Sequence, residues 1–464
     1  RRGNMSFILF ILGLAPITWL AFALLKMKWP TFKAAIGSFL ISVILAVLVW
    51  HLPVIDTATA ALEGTLMAIW PIIIVIIAAV FTYRLSLRTG GMDVIKSMIT
   101  SFSTDKRVLV LLIAWCFGGF MEGMAGFGTA VAIPASMLVS LGFDPLFSCL
   151  VCLIANGTPT AFGSIGIPTV TLANLLSLEN TSLSFMTALQ LTPFIILSPI
   201  LMVMITGNGI KGLKGVLPIT LMSGIAFVIP EILIGKFVGA ELAGVAASVI
   251  SLVCTILASM KFTNLDAIPD EYRLEEKKGS PLKVGKTLQA LSPFVLIFVV
   301  LLLTSNLVPP IHDALSSFAT SVKISTYKNA SMTTFTWINT PGVLIILCAI
   351  VGGFIQKAKV SEMVAVFIAT LKQMMFTILT MLFILATARV MQYSGMIAAV
   401  AALFSVFGPV YPFFAPMLGA LGTFVTGSGT SSSALFGSVQ MSTAASIGAN
   451  KYWLVAANSL SVAT

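Results

Sequence analysis

The residues of this chain that could do chemistry fall into two clusters far apart in sequence. The first is F-M-E-G-M-A-G-F-G-T-A-V-A-I-P (120–134), followed by A-N-G-T-P-T-A-F-G-S-I-G-I-P (155–168). The second is F-V-T-G-S-G-T-S-S-S-A-L-F-G (424–437), followed by V-A-A-N-S-L-S-V-A-T (455–464). Glycine lets a backbone turn sharply and lets a ligand approach its amides, which gives Gly123, Gly126, Gly128, Gly427 and Gly429 their meaning here. Half-helices that start at such turns aim free N–H groups and positive dipole ends at one point, an arrangement that binds carboxylates. Thr129, Asn156, Thr158, Thr160, Thr426, Ser428, Thr430, Ser431, Ser432, Asn458 and Ser459 add small donors and acceptors. Phe127 stands between two of the glycines and is counted with the site. No arginine lies at either turn, so the expected ligand is a small, singly charged anion rather than a polyphosphate. The competing reading is close helix packing through small residues. Asn156, Asn458 and the neighbouring Thr158 and Pro159 argue against it, being poor packing choices in lipid.

Glu122 is the one acid this reading places deep in the membrane. Charging a carboxylate there costs desolvation and is opposed by a neighbouring anion. The expected rule is that Glu122 is protonated before the anion binds, so one proton accompanies one anion. The alternative is a structural Glu122 bonded to backbone amides. Glu63 and Lys372 are expected to be interfacial anchors or interdomain pairs, and Glu231 to lie at a helix end.

The elements that must position these residues follow from composition. The chain has 464 residues, is 58% hydrophobic and 9% charged, and has a mean hydropathy of +1.06. Soluble domains carry about 25% charged residues, so an integral membrane protein is indicated. The net charge of +10 reads as Lys and Arg retained on one membrane face, not as a nucleic-acid surface. The five cysteines lie in apolar surroundings, Cys149 and Cys152 among them, and the only histidines are His51 and His312, near loops. No metal or cofactor is expected.

Apolar spans are expected at 6–25, 34–51, 61–83, 185–206, 214–232, 240–260, 289–306, 341–355 and 364–388. The first is followed by Lys26, Lys28 and Lys33 and is read as a retained helix rather than a cleaved signal. Segments 92–102 and 396–407 read as short interfacial helices, and 307–340 as a long polar outer segment. Residues 108–143 and 409–447 are expected to be re-entrant helical hairpins. Residues 144–177 and 451–464 are expected to be a discontinuous helix and the start of another. In lipid such breaks survive only where protein or a water-filled cavity covers them. The halves 1–260 and 289–464 are joined by a charged linker, 261–288. With the N-terminus outside, the inner loops 26–33, 84–107, 207–214, 261–288 and 356–361 hold 18 of the 26 Lys and Arg residues. Arg389 then falls at an outer boundary, while Arg1 and Arg2 pull the other way.

The halves correspond. R-T-G-G-M (88–92) matches Y-S-G-M (393–396), G-F-G-T (126–129) matches G-S-G-T (427–430), and I-A-N-G (154–157) matches A-A-N-S (456–459), in that order. The charge bias inverts: loop 84–107 carries five Lys or Arg and its counterpart 390–408 none. Two inverted-topology repeats are expected, with the site at their midplane interface.

At these residues the chain resembles the bacterial L-lactate permease family. The matching stretches are C-F-G-G-F-M-E-G-M-A-G-F-G-T-A-V-A-I (116–133), G-F-D-P-L (142–146), A-N-G-T-P-T-A-F-G-S-I-G-I-P (155–168), F-V-T-G-S-G-T-S-S-S-A-L-F (424–436) and L-V-A-A-N-S (454–459). The resemblance implies a multi-pass plasma-membrane symporter of L-lactate, glycolate and related 2-hydroxy monocarboxylates with protons. The family's chain continues past the position of Thr464, so the second discontinuous helix is expected to be cut short. A broader resemblance, to the ion-transporter superfamily of hairpin-containing carriers, implies an all-α elevator, often within a homodimer. Three other readings stay open: sodium coupling, a passive anion channel, and an intramembrane enzyme. For the last, no paired nucleophile and base is visible.

Overall fold

Residues 2–126, 129–262, 268–274, 284–330, 332–426 and 428–461 are described by the structure, a computed structural model. Long apolar runs must satisfy their own backbone hydrogen bonds in lipid, which makes them helices. Among the described residues ten helices are long and apolar enough to cross a membrane, by length and composition. They include Phe7–Lys26, Thr31–Leu48, Val54–Arg88, Lys106–Met124, Asn180–Thr206, Leu217–Phe237, Ala240–Phe262, Gly285–Leu303 and Val360–Ser394. Their outward side chains are apolar, as at Val54, Met260 and Phe424. This is the architecture of a multi-pass membrane protein.

Burial separates the helices into two kinds. Only 22% of Phe7–Lys26 and 28% of Thr31–Leu48 is buried, whereas Lys106–Met124 is buried throughout from Arg107 on. The latter helix, with Thr129–Ser140 returning alongside it, is therefore enclosed by protein. Asn180–Thr206, Leu217–Phe237 and Ala240–Phe262 pack in succession, and the last lies against Gly118–Met124. The two halves interlock rather than sit apart. Val360–Ser394 packs on Thr31–Leu48 and Val54–Met67, Met396–Phe404 on Arg2–Ala21, and Pro341–Ile355 on Ile74–Arg88.

Two of the basic loops, 84–107 and 207–214, meet the linker on one face. Arg107 is buried, pairs with Asp105 at 2.7 Å, donates to the carbonyls of Gly212 and Lys214, and stacks 4.3 Å over the Tyr272 ring. Leu274 N–H donates to Thr104 O at 2.9 Å, so the described middle of the linker docks on this loop. Arg88 lies 3.6 Å from Glu362 on the same face. On the other, Thr326 bonds Asp56, Tyr327 stacks on Tyr393 at 4.9 Å, and Trp70 Nε1 donates to Thr336 O at 2.8 Å.

Two expectations change. The 307–340 segment is not featureless: it holds the helix Pro309–Ser316 and an antiparallel pair, Ala319–Val322 with Thr333–Thr336. The β-branched T-T-F-T run suits a strand but is too short to stand out in the sequence. The fold is thus nearly, not wholly, helical. The span expected at 61–83 is one stretch, Val54–Arg88, interrupted where Trp70 leaves helical geometry (φ −130°, ψ 118°) before Pro71.

Candidate functional site

The first turn is built by the end of a helix. Lys106–Met124 stops because Gly126 adopts φ +56°, and the Ala125 and Gly126 N–H groups fold back onto Met121 O at 2.8 and 3.1 Å. A left-handed glycine at this position is a common helix stop. Glu122 lies one turn earlier, buried, and has no hydrogen bond among the described residues. Its Oε1 rests against the backbone of Gly163. Thr129 opens the returning helix, Thr129–Ser140. Phe127 and Gly128 lie outside the described residues, as does the side chain of Thr129.

The broken helix meets this turn. Pro145–Gly157 starts with Asp144 accepting from Phe147 N–H at 2.8 Å, a side-chain cap ahead of Pro145. It meets Pro159–Leu176 at 60°. Pro159 has no N–H to continue the ladder. Thr160 Oγ1 donates to Asn156 O at 2.6 Å and holds the break together. Among the described residues, Asn156 Oδ1 and Thr158 Oγ1 are buried without a partner.

A second interruption follows, which the sequence pattern does not single out. Ser164, Ile165 and Gly166 are all left-handed, with φ +46°, +59° and +72°. Such a conformation is costly for a β-branched residue and clusters at functional sites. Ser164 Oγ donates to Ala125 O at 3.0 Å and ties this turn to the first hairpin turn. Glu122 therefore sits between two irregular backbone segments. The available signal was Gly163 and Gly166 followed by Pro168, a cluster of breakers inside an apolar run.

The second turn joins Tyr411–Thr426 to Gly429–Ile447. Ser428 caps the latter by accepting from Ser431 N–H. Ser432 Oγ donates to Gly419 O at 2.8 Å, holding the two arms together. Thr430 is buried, as are Ser431, Asn458 and Ser459. Among the described residues Ser431 Oγ, both polar atoms of the Asn458 side chain, and Ser459 Oγ have no partner. Unpaired buried polar atoms are rare in folded proteins, and here they recur on the expected site residues. Gly427, the side chain of Thr426 and residues 462–464 lie outside the described residues.

One helix, Gly163–Leu176, touches both assemblies. Its first turn meets Glu122 and Ala125, and its Leu172 packs against Gly437 of the second hairpin. This is how the structure relates the two clusters: through a shared helix.

The membrane acids require correction. Glu122 is not the only buried one, because Glu63 and Glu231 are fully buried. Glu231 lies inside Leu217–Phe237, not at its end, and has no partner among the described residues. Of the two roles expected for Glu63, it takes that of a pair between the halves. It accepts from Tyr393 OH at 2.9 and 3.0 Å and lies 3.2 Å from Arg389 Nε. Arg389 is buried, 3% exposed, and Lys372 is exposed. The sequence conceals this pair because Glu63 and Arg389 belong to different halves.

The family model described as L-lactate permease matches residues 9–464. An L-lactate permease of Streptococcus iniae is 43% identical, covering 96% of this chain and 93% of the relative. An L-lactate permease of Escherichia coli K12 is 33% identical, covering 96% and 85%. The glycolate permease GlcA of the same organism is 32% identical, covering 97% and 86%. Among solved structures, the YdaH transporter of Alcanivorax borkumensis aligns at a TM-score of 0.42 and 12% identity, covering 84% of this chain and 73% of that one, too slight a likeness to carry an argument. The matches run through every element that builds the two turns, and this chain belongs to the L-lactate permease family.

Proposed function

We propose that this chain is a secondary active transporter that carries L-lactate and related 2-hydroxy monocarboxylates such as glycolate across the bacterial plasma membrane, one proton with each anion. The family membership and the names of the relatives support the substrate class. The observation that carries the coupling is Glu122, buried between the Ala125–Gly126 turn and the left-handed Ser164–Gly166 turn. Neutral, it can sit there; charged beside a substrate anion, it cannot. Proton uptake at Glu122 then precedes anion binding at the side chains of Asn156 and Thr158 beside the first turn and at the second turn, Ser428–Ser431 with Asn458 and Ser459. The two hairpins and broken helices act as inverted repeats that move together against the outer helices, within a homodimer.

The test is uptake of labelled L-lactate into proteoliposomes under an inward proton gradient in sodium-free buffer, with Glu122→Gln in parallel. The expected result is accumulation in the parent and pH-insensitive exchange in the variant. Accumulation unchanged by Glu122→Gln removes that residue from the coupling. Accumulation only after sodium is added replaces the proton by a sodium ion at the hydroxyl-rich turns. Equilibration without accumulation indicates a channel.

A further inference from the structure

Arg389 is a buried cation, and it faces a cavity. The space, about 300 Å³, lies under the strand Thr333–Thr336 and is lined by Met67, Trp70, Asn174, Ser177, Thr336 and Arg389 among others. That volume is at the lower end of the range for small-ligand pockets, about 300–1,000 Å³. Among its described lining residues Arg389 is the only charged one. It is separate from Glu122 and the hairpin turns, none of which lines it.

The donors of Arg389 are only partly used. Nη1 donates to Gln392 Oε1 at 2.8 Å, and Nε lies 3.2 Å from Glu63 Oε1 without hydrogen-bond alignment. Among the described residues Nη2 meets only the Met67 thioether, at 3.0 Å, a weak acceptor. Met67 itself lines the cavity, so Nη2 is directed to that side. A guanidinium has five N–H donors in a planar fork that fits a carboxylate. Asn174 and Ser177 are exposed within the lining, and neither side chain is hydrogen-bonded among the described residues. At the helix end that bears them two of the last carbonyls are already taken, Ala173 O accepting from Leu178 N–H at 2.9 Å and Asn174 O from Ser177 N–H at 3.4 Å. Glu63 has a second partner besides Arg389, since it also accepts from the Tyr393 hydroxyl.

We infer that this cavity is a second carboxylate site, in which Arg389 takes the carboxylate of a small 2-hydroxy monocarboxylate and Asn174 and Ser177 take its hydroxyl. The inference rests on the monocarboxylate-transport reading and adds a capture site before the hairpin turns. A buried cation that served only to neutralise Glu63 would need neither the cavity nor the free polar groups around it.

The experiment is equilibrium binding of labelled L-lactate to purified full-length protein, paired with initial uptake rates in proteoliposomes. Two variants probe the cavity. Asn174→Leu narrows it without touching the charge pair, and Glu63→Gln with Arg389→Gln removes the pair without leaving a lone charge. A third variant, Asn458→Ala, probes the second hairpin site. The expected result is two lactate molecules per parent chain, one per chain in either cavity variant, and a KM for uptake at least tenfold higher with the maximal rate retained. Parent stoichiometry and KM in both cavity variants, with uptake lost in Asn458→Ala, overturn the second site alone. Absence of lactate binding and uptake in the parent overturns the transport reading and this inference together.

Discussion

Oε1 of Glu122 lies 2.2 Å from the point where a β-carbon on Gly163 would sit. The carboxyl is seated on bare backbone, and the glycine is there to admit it. Gly163→Ala forces the Glu122 side chain away and costs about 1–3 kcal/mol, the usual range for overpacking. On a Glu122→Ala background the same substitution has room. Thermal unfolding in detergent of both singles and the double is expected to give a coupling between the sites of at least about 0.5 kcal/mol. Equal costs of Gly163→Ala on both backgrounds show that the contact is not what Gly163 serves.

Ser164 gives a test with an unusual sign. Inside an ordinary helix glycine is worse than alanine by about 1 kcal/mol. At φ +46° the order reverses, because the β-carbon is strained by about 1–2 kcal/mol and glycine is free of that strain. Both variants lose the bond from Ser164 Oγ to Ala125 O. Ser164→Gly is therefore expected to unfold at a higher temperature than Ser164→Ala. The opposite order shows that the left-handed turn is not kept.

Most of this architecture is readable in the sequence because lipid allows so few alternatives. Apolar runs near 20 residues become helices, so the outer spans emerge within a few residues of their expected bounds. The breaks at Gly126 and at Pro159 are legible for the same reason: glycine and proline between apolar flanks interrupt a helix that lipid would otherwise keep whole. The left-handed turn at Ser164 was hidden because serine and isoleucine do not announce positive φ. Glu63 and Arg389 were hidden because their meeting is a tertiary event between the two halves. Composition also cannot separate a helix that faces lipid, such as Thr31–Leu48, from one enclosed by protein, such as Lys106–Met124. Both are simply apolar, and only packing tells them apart.

Arg107 holds three loops with one side chain. Its guanidinium bonds Asp105 through Nε and Nη2, donates through Nη1 to Gly212 O at 2.8 Å and Lys214 O at 2.9 Å, and stacks on Tyr272. Hydrogen bonds from a charged donor contribute about 1.5–3 kcal/mol each when buried. Tenfold in an opening equilibrium corresponds to about 1.4 kcal/mol. Arg107→Ala is thus expected to speed amide hydrogen exchange across 207–214 and 268–274 by more than tenfold, while the buried helix Ala240–Phe262 keeps its protection. Arg107→Lys does not rescue it, because a single ammonium cannot reach two carbonyls, a carboxylate and a ring face from one fixed plane. Exchange unchanged in Arg107→Ala means that the loops are held by their own backbone bonds, and the arginine merely fills the space between them.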